Sequence, residues 1–247
     1  MVHSIVFICA SNAYLTIIYK KGCITLDISS VARQIIIAAV PILIAITFHE
    51  VAHGFVANKL GDPTAKMMGR LTLNPIAHID PIGTILMPLM LIIFTNGQFV
   101  FGYAKPVPIN PMNFQNPKRD MAISAAAGPV TNILLAIASI LVIKLFIIPL
   151  SLIMPDSISS AVLSPLFMIF QASIVYNAVL AAFNMIPIPP LDGGRVLMGF
   201  LPYRQAISFS KIEPFGFLIV IILIATGISK YFVIPIVNLF LSLLRLF

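Results

Sequence analysis

Two histidines four residues apart, with a glutamate directly after the first, form the segment His49-Glu50-Val-Ala-His53. On an α-helix, positions i and i+4 share a face about one turn apart, so both imidazoles can reach a single metal ion. Glu50 is turned roughly 100° around the axis from His49, close enough to touch a water on that metal. A catalytic zinc ion takes three protein ligands and keeps a fourth position for water. Among the eight acidic residues, Glu50 lies inside a strongly apolar run, and Asp192 stands at the end of another. Asp192 is therefore the expected third ligand, giving a site for one Zn2+ per chain. Zinc would lower the pKa of its water towards roughly 7 and polarise a carbonyl. Glu50 would take the water's proton and pass it to a leaving amine. Together these roles amount to peptide-bond hydrolysis.

The setting of these residues is unusual. The segment ends an apolar run that begins near Val31. Ionisable groups are expensive at membrane depth, so those found there are functional candidates. Hydrophobic residues make up 60% of the chain and charged residues 9%, against roughly 25% charged in a soluble domain. The apolar runs approach the length needed to cross a bilayer, so the expected fold is an α-helical polytopic membrane protein with about five to six transmembrane helices. The formal net charge of +7 is not a nucleic-acid signal, because Lys and Arg cluster beside apolar segments as in cytoplasmic loops. The cysteines, Cys9 and Cys23, suggest neither a disulfide framework nor zinc-ligand spacing. Residues 1–20 lack a basic leader and a small-residue cleavage site, so no cleavable signal peptide is expected.

These residues need elements to hold them in place. Residues 1–27 read as an N-terminal extension or a marginal span. A helix is expected over 31–59, opened by capping residues at Asp27, Ser29 and Ser30 and stopped by Gly61-Asp62-Pro63. Alternation over 70–74 and over 98–103 predicts two strands, a small membrane-associated β region between the first two core spans. Residues 82–94 are apolar but short, which fits a re-entrant or interfacial helix. Spans follow over 120–150 and 161–186, and two more apolar segments over 215–247. Small residues at Ala125-Ala126-Ala127-Gly128 allow a neighbouring helix to approach closely. The prolines of Pro187-Ile-Pro189-Pro190 force an extended backbone just before Asp192, tolerable at membrane depth where it lines a polar cavity. The core is expected over 28–202, with a transmembrane hairpin over 203–247.

Basic residues suggest an orientation. Lys59, Lys66, Arg70, Lys105, Lys118 and Arg119 lie between the first two core spans, and Arg195, Arg204 and Lys211 follow the proline-rich stretch. All nine face the cytoplasm if 31–59 runs out-to-in, 120–150 in-to-out and 161–190 out-to-in. His49, His53 and Asp192 then lie at one depth, near the cytoplasmic side. A substrate segment must be unwound to expose its carbonyls, and pairing with an open edge of the strand at 98–103 would achieve that.

Three segments together resemble a known family. His49-Glu50-Val-Ala-His53, Gly128-Pro129-Val-Thr-Asn132 and Asn184-Met-Ile-Pro-Ile-Pro-Pro-Leu-Asp192-Gly193 look like the three signatures of the site-2 protease family of intramembrane zinc metallopeptidases. The likeness covers about residues 28–200 and is strongest to the compact prokaryotic branch, without a PDZ-like insert or a CBS pair. It implies zinc ligands His49, His53 and Asp192, with Glu50 as catalytic base. It also implies that Asn184 and Asn132 contact the substrate backbone or the oxyanion. The implied partners are the lipid bilayer and transmembrane or signal-peptide substrates. The implied location is a prokaryotic inner membrane, with the active site toward the cytoplasm.

Plainer readings stand beside these. Asp192 could serve as the N-cap of a helix beginning at Gly193. Asn184 and Asn132 could serve only as interhelical hydrogen-bonding groups. His78 reads as a loop or interface histidine. Two rival functions are a zinc-binding membrane chaperone or regulator, against which a base at Glu50 speaks, and a metal transporter, which would need a second intramembrane acidic cluster.

Overall fold

In a computed structural model, residues 5–8, 28–95 and 100–245 are described. The element order is β1 (Ile5–Ile8), α1 (Ile28–Lys59), α2 (Thr64–Met67), α3 (Met87–Thr95), β2 (Val100–Tyr103), α4 (Pro117–Val142), α5 (Ile148–Ile153), α6 (Asp156–Ile158), α7 (Ser164–Asn184), α8 (Asp192–Phe200), α9 (Tyr203–Ser210), α10 (Glu213–Ala225) and α11 (Ser229–Arg245). Wide π turns join α4 to α5 and α6 to α7, giving continuous helical paths over Pro117–Ile153 and Asp156–Asn184, parted by extended backbone at Met154 and Pro155. A third π turn (Pro81–Leu86) leads into α3.

Among the described residues, three helical stretches are long and apolar enough to cross a membrane: Ile36–Lys59, Pro117–Ile153 and Asp156–Asn184. The pair α9 and α10, bent by 66°, brings the number to four if counted as one broken span. The remaining apolar helices, Pro81–Phe94 and the 17-residue α11, are shorter. The expected five to six therefore comprise fewer full-length crossings plus these shorter segments. Leu145, Phe146, Leu152 and Ile153 lie on the outer surface of the second span and are more than half exposed. A bilayer is the solvent in which such a surface is stable. This is an integral membrane protein.

The centre of the fold is where α1, α4, α7 and α8 meet. Lipid is as apolar as the helices, so association there depends on close packing and interhelical hydrogen bonds. Small side chains accordingly fill the contacts: Ala45, Ala57, Ala136 and Ala178 are fully buried. A second apolar layer, built from Phe183, Ile186, Leu191, Val220 and Ile224, packs α10 and α11 against the end of α7.

The end of α1 shows how the sequence stops a helix. Gly61 takes φ +110°, and the amides of Gly61 and Asp62 return to the carbonyls of Asn58 and Ala57, closing the last turn as a Schellman motif. Asp62 then fastens the helix to a distant loop. Its carboxylate accepts from the Thr64 amide and hydroxyl, the Asn110 amide and the Asn113 side chain. Burial alone would raise its pKa, but these hydrogen bonds outweigh burial and hold it below the ordinary value.

The β region is smaller than the pattern suggests. β2 occupies Val100–Tyr103 and pairs antiparallel with β1, with Ile5 opposite Tyr103 and Ile8 opposite Val100. The expected strand over 70–74 does not form. Side chains take its backbone partners instead: His78 Nε2 donates to the Thr72 carbonyl, and the Asn74 side chain caps the following turn. Alternation is present, but among the described residues no neighbouring strand completes a ladder. One edge of β2 is taken by β1 along Val100–Tyr103, and the Tyr103 carbonyl accepts from the Thr84 hydroxyl. The alternative of a marginal span near the N-terminus otherwise concerns residues 9–27, which lie outside the described residues, as do 96–99.

Candidate metal centre

Each group at the centre is positioned by a different element. His49 and His53 project from the last three turns of α1, with ring centroids 4.6 Å apart and planes at 86°. Asp192 is the first residue of α8, and the N-cap position falls on Leu191 before it. Its Oδ2 atom lies 3.2 Å from His49 Nε2 and 3.3 Å from His53 Nε2. The two Nε2 atoms are 3.0 Å apart. All three residues are at most 3% exposed.

Hydrogen positions at this triangle can be worked out from its partners. His53 Nδ1 sits 2.8 Å from the Ser124 carbonyl, which can only accept. His49 Nδ1 sits 2.5 Å from Asn132 Oδ1, and the Asn132 amide nitrogen donates to the Ala45 carbonyl at 3.2 Å. Both Nδ1 atoms thus carry the ring proton in the neutral imidazoles, and both Nε2 lone pairs face the carboxylate oxygen. Three buried electron-pair donors point at one spot, and Asp192 Oδ2 has no hydrogen-bond partner among the described residues. A cation satisfies all three. Ligand atoms held roughly 2.0–2.2 Å from zinc at tetrahedral angles stand about 3.3–3.6 Å apart; the observed triangle is close to that size, slightly contracted. The donor set of two imidazoles and one carboxylate suits zinc. Among the described residues, this is the only group of three His, Cys, Asp or Glu side chains whose ligand atoms converge.

Gly128 of α4 makes the triangle possible. A Cβ at this position would stand 2.3 Å from His53 Nε2 and 2.6 Å from His49 Cε1. Any side chain there would occupy the space of the metal-facing ring edges. Ser124, one turn earlier, binds His53 twice, through its carbonyl to Nδ1 and through its hydroxyl to the His53 carbonyl at 3.0 Å.

Glu50 lies beside this group and is 1% exposed. Its Oε2 accepts the Val107 amide proton at 2.8 Å, and its Oε1 has no partner among the described residues. A cavity of about 10 Å3, the space of one water, is lined by Glu50, His53, Asp192, Val107 and Arg195, among others. The cavity therefore brings Glu50 together with two of the three converging groups, His53 and Asp192.

The remaining expectations fall out differently. Asn132 is fully buried at the centre of the helix packing, with its oxygen on His49 and its nitrogen donating to Ala45 and Asn177. Asn184 is also buried and donates to Leu180 within its own helix; it does not line the cavity. His78 lies apart from the triangle and donates Nε2 to Thr72. Two contributors escaped the sequence reading. Arg195 read only as a cytoplasmic charge, yet it lines the cavity and pairs with Glu213 at 3.2 Å; its position one turn after Asp192 on α8 was the available signal. Val107 contributes a backbone group, which no side-chain pattern reports.

The comparisons with known proteins agree with this chemistry. Residues 147–227 match the model of peptidase family M50. YwhC of Bacillus subtilis (strain 168), whose name describes a zinc metalloprotease, is 37% identical over 199 residues, covering 81% of this chain and 84% of YwhC. Rip2 of Mycolicibacterium smegmatis, named in the same way, is 27% identical over 195 residues, 77% of this chain and 67% of Rip2. No solved structure matches the chain. The chain belongs to peptidase family M50, the site-2 protease family, and is a membrane-embedded zinc metalloprotease.

Proposed function

We propose that this metalloprotease is an intramembrane endopeptidase. It hydrolyses peptide bonds within transmembrane segments of membrane proteins, or within signal-peptide remnants, near the cytoplasmic face of a bacterial inner membrane. One observation carries the reading. A water-sized cavity has Glu50, His53 and Asp192 on its walls, and the latter two converge with His49 on one spot.

His49, His53 and Asp192 hold the zinc ion, and Glu50 acts as base. When bound, zinc supplies a Lewis acid and makes water a nucleophile near neutral pH. The chain's own residues supply the rest. Val107 fixes Glu50 through Oε2, leaving Oε1 to receive the proton of the attacking water. The water's oxygen joins the carbonyl carbon, the C–N bond breaks, and the proton held at Oε1 passes to the leaving nitrogen. Burial of the site keeps bulk water away and strengthens each polar interaction within it. The basic residues after the first and third long helices support the cytoplasmic orientation.

The test is cleavage of a membrane-helix reporter by the purified protein in liposomes, with the cut position read by mass spectrometry. The expected cut lies within the apolar segment and disappears on chelation. Cleavage confined to exposed loops would refute the intramembrane assignment.

A further inference from the structure

We propose that Asn177 is a positioning residue for the metal-binding His49, acting through Asn132. The proposal rests on His49 being a zinc ligand. A continuous line of hydrogen bonds leads away from the metal centre into the apolar middle of the bundle. His49 Nδ1 donates to Asn132 Oδ1. The Asn132 amide nitrogen donates to Asn177 Oδ1 at 2.8 Å. The Asn177 amide nitrogen donates to the Ser173 carbonyl at 2.9 Å and reaches the Ser173 hydroxyl at 3.2 Å. The Ser173 hydroxyl in turn meets that of Ser139 at 2.9 Å.

The direction of every proton in this line follows from its far end. A backbone carbonyl only accepts, so the Ser173 carbonyl requires the amino side of Asn177. Asn177 must then present oxygen to Asn132, and Asn132 must present its amino group to Asn177 and its oxygen to His49. His49 must carry its ring proton on Nδ1, which leaves the Nε2 lone pair for the metal. An inverted Asn132 would place an amino group against Nδ1 and favour the other tautomer, with a proton on Nε2 where a ligand electron pair is needed. The Ala45 carbonyl opposes that inversion with a single longer contact of 3.2 Å; Asn177 adds the shorter bond.

The location makes such a lock necessary. Asn132 and Asn177 are both fully buried among apolar helices, where an asparagine without a hydrogen-bond partner is costly. Two asparagines amid apolar helices make sense as one fully bonded network that specifies one arrangement. Outer partners of metal ligands typically alter metal affinity by roughly 10–100-fold.

The experiment is a zinc-affinity cycle on the full chain in detergent, by competition with a chelator of known affinity. Asn132→Leu, Asn177→Leu, the double variant, Asn177→Asp and His49→Ala are compared with wild type. Asn132→Leu is expected to weaken zinc binding about 10–100-fold and Asn177→Leu about 10-fold. The double variant should match Asn132→Leu, because Asn177 has nothing left to orient. Asn177→Asp keeps the acceptor toward Asn132 and, protonated in this apolar site, a donor toward Ser173; it should restore near-wild-type affinity. The visible spectrum of the cobalt-substituted protein should shift in Asn177→Leu and return in Asn177→Asp. Wild-type affinity in Asn177→Leu, or a loss that adds to that of Asn132→Leu, would overturn the proposal. A zinc-binding His49→Ala would remove its basis, a separate result. If Asn177→Leu does not fold, Asn177→Asp still decides: a tenfold loss in this variant also overturns the proposal.

Discussion

The Val107 backbone amide donates to Glu50 Oε2 at 2.8 Å, across 57 residues of sequence. This bond holds Glu50, the proposed base, to an extended segment, Lys105-Pro-Val-Pro108, whose own course is pinned by Arg70 on the Lys105 and Pro106 carbonyls. Val107→Pro removes the donor, whereas Val107→Ala keeps it. The proline variant should retain zinc and lose about tenfold or more in kcat, the worth of a hydrogen bond to a charged group. Steady-state kinetics beside zinc analysis checks this. Equal losses in both variants would assign Val107 a packing role.

Gly128 is the second point of control. Its α-carbon faces the rings of His49 and His53, the proposed metal ligands, at distances that leave no room for a methyl group. Gly128→Ala should reduce zinc affinity by at least about 10–100-fold, with helical content by circular dichroism unchanged. Full zinc loading of this variant would mean that the rings can shift without cost.

Asp62 gives the fold a pH dependence outside the membrane. Its folded pKa lies below the unfolded value of 3.8. The unfolded chain therefore binds this proton more readily, so the carboxylate's contribution is complete above the unfolded pKa and fades as pH falls through the folded one. Asp62→Asn should lower stability by about 1–3 kcal/mol at neutral pH, and its deficit should shrink below about pH 4. Thermal unfolding in detergent, followed from neutral pH down through about pH 4 and below, reads this directly.

The parts of the site that side-chain chemistry specifies were legible in the sequence. The His49 and His53 spacing needs only a helix, and an acid in irregular backbone after a long apolar helix needs only a cavity, so Asp192 could be chosen across 139 residues. Helix ends were legible where Gly61 or Pro187 punctuates them. Groups that matter through their backbone or through a second partner were not legible. The Val107 amide is invisible to any residue pattern, and Asn177 gains meaning only once α4 and α7 are side by side. The 70–74 segment shows the same limit from the other side: alternation marks a potential strand, but a ladder needs a neighbour, and here His78 and Asn74 satisfy the backbone first.

Glu50→Gln tests the central claim most directly. The glutamine keeps the shape of the side chain and an acceptor for Val107, but it cannot hold the transferred proton. Zinc per chain and cleavage of a membrane-helix reporter are measured together. The expected result is one zinc ion per chain, as in wild type, with cleavage reduced about 10²–10⁴-fold. Wild-type cleavage by a zinc-loaded Glu50→Gln protein would contradict the assignment of Glu50 as the base.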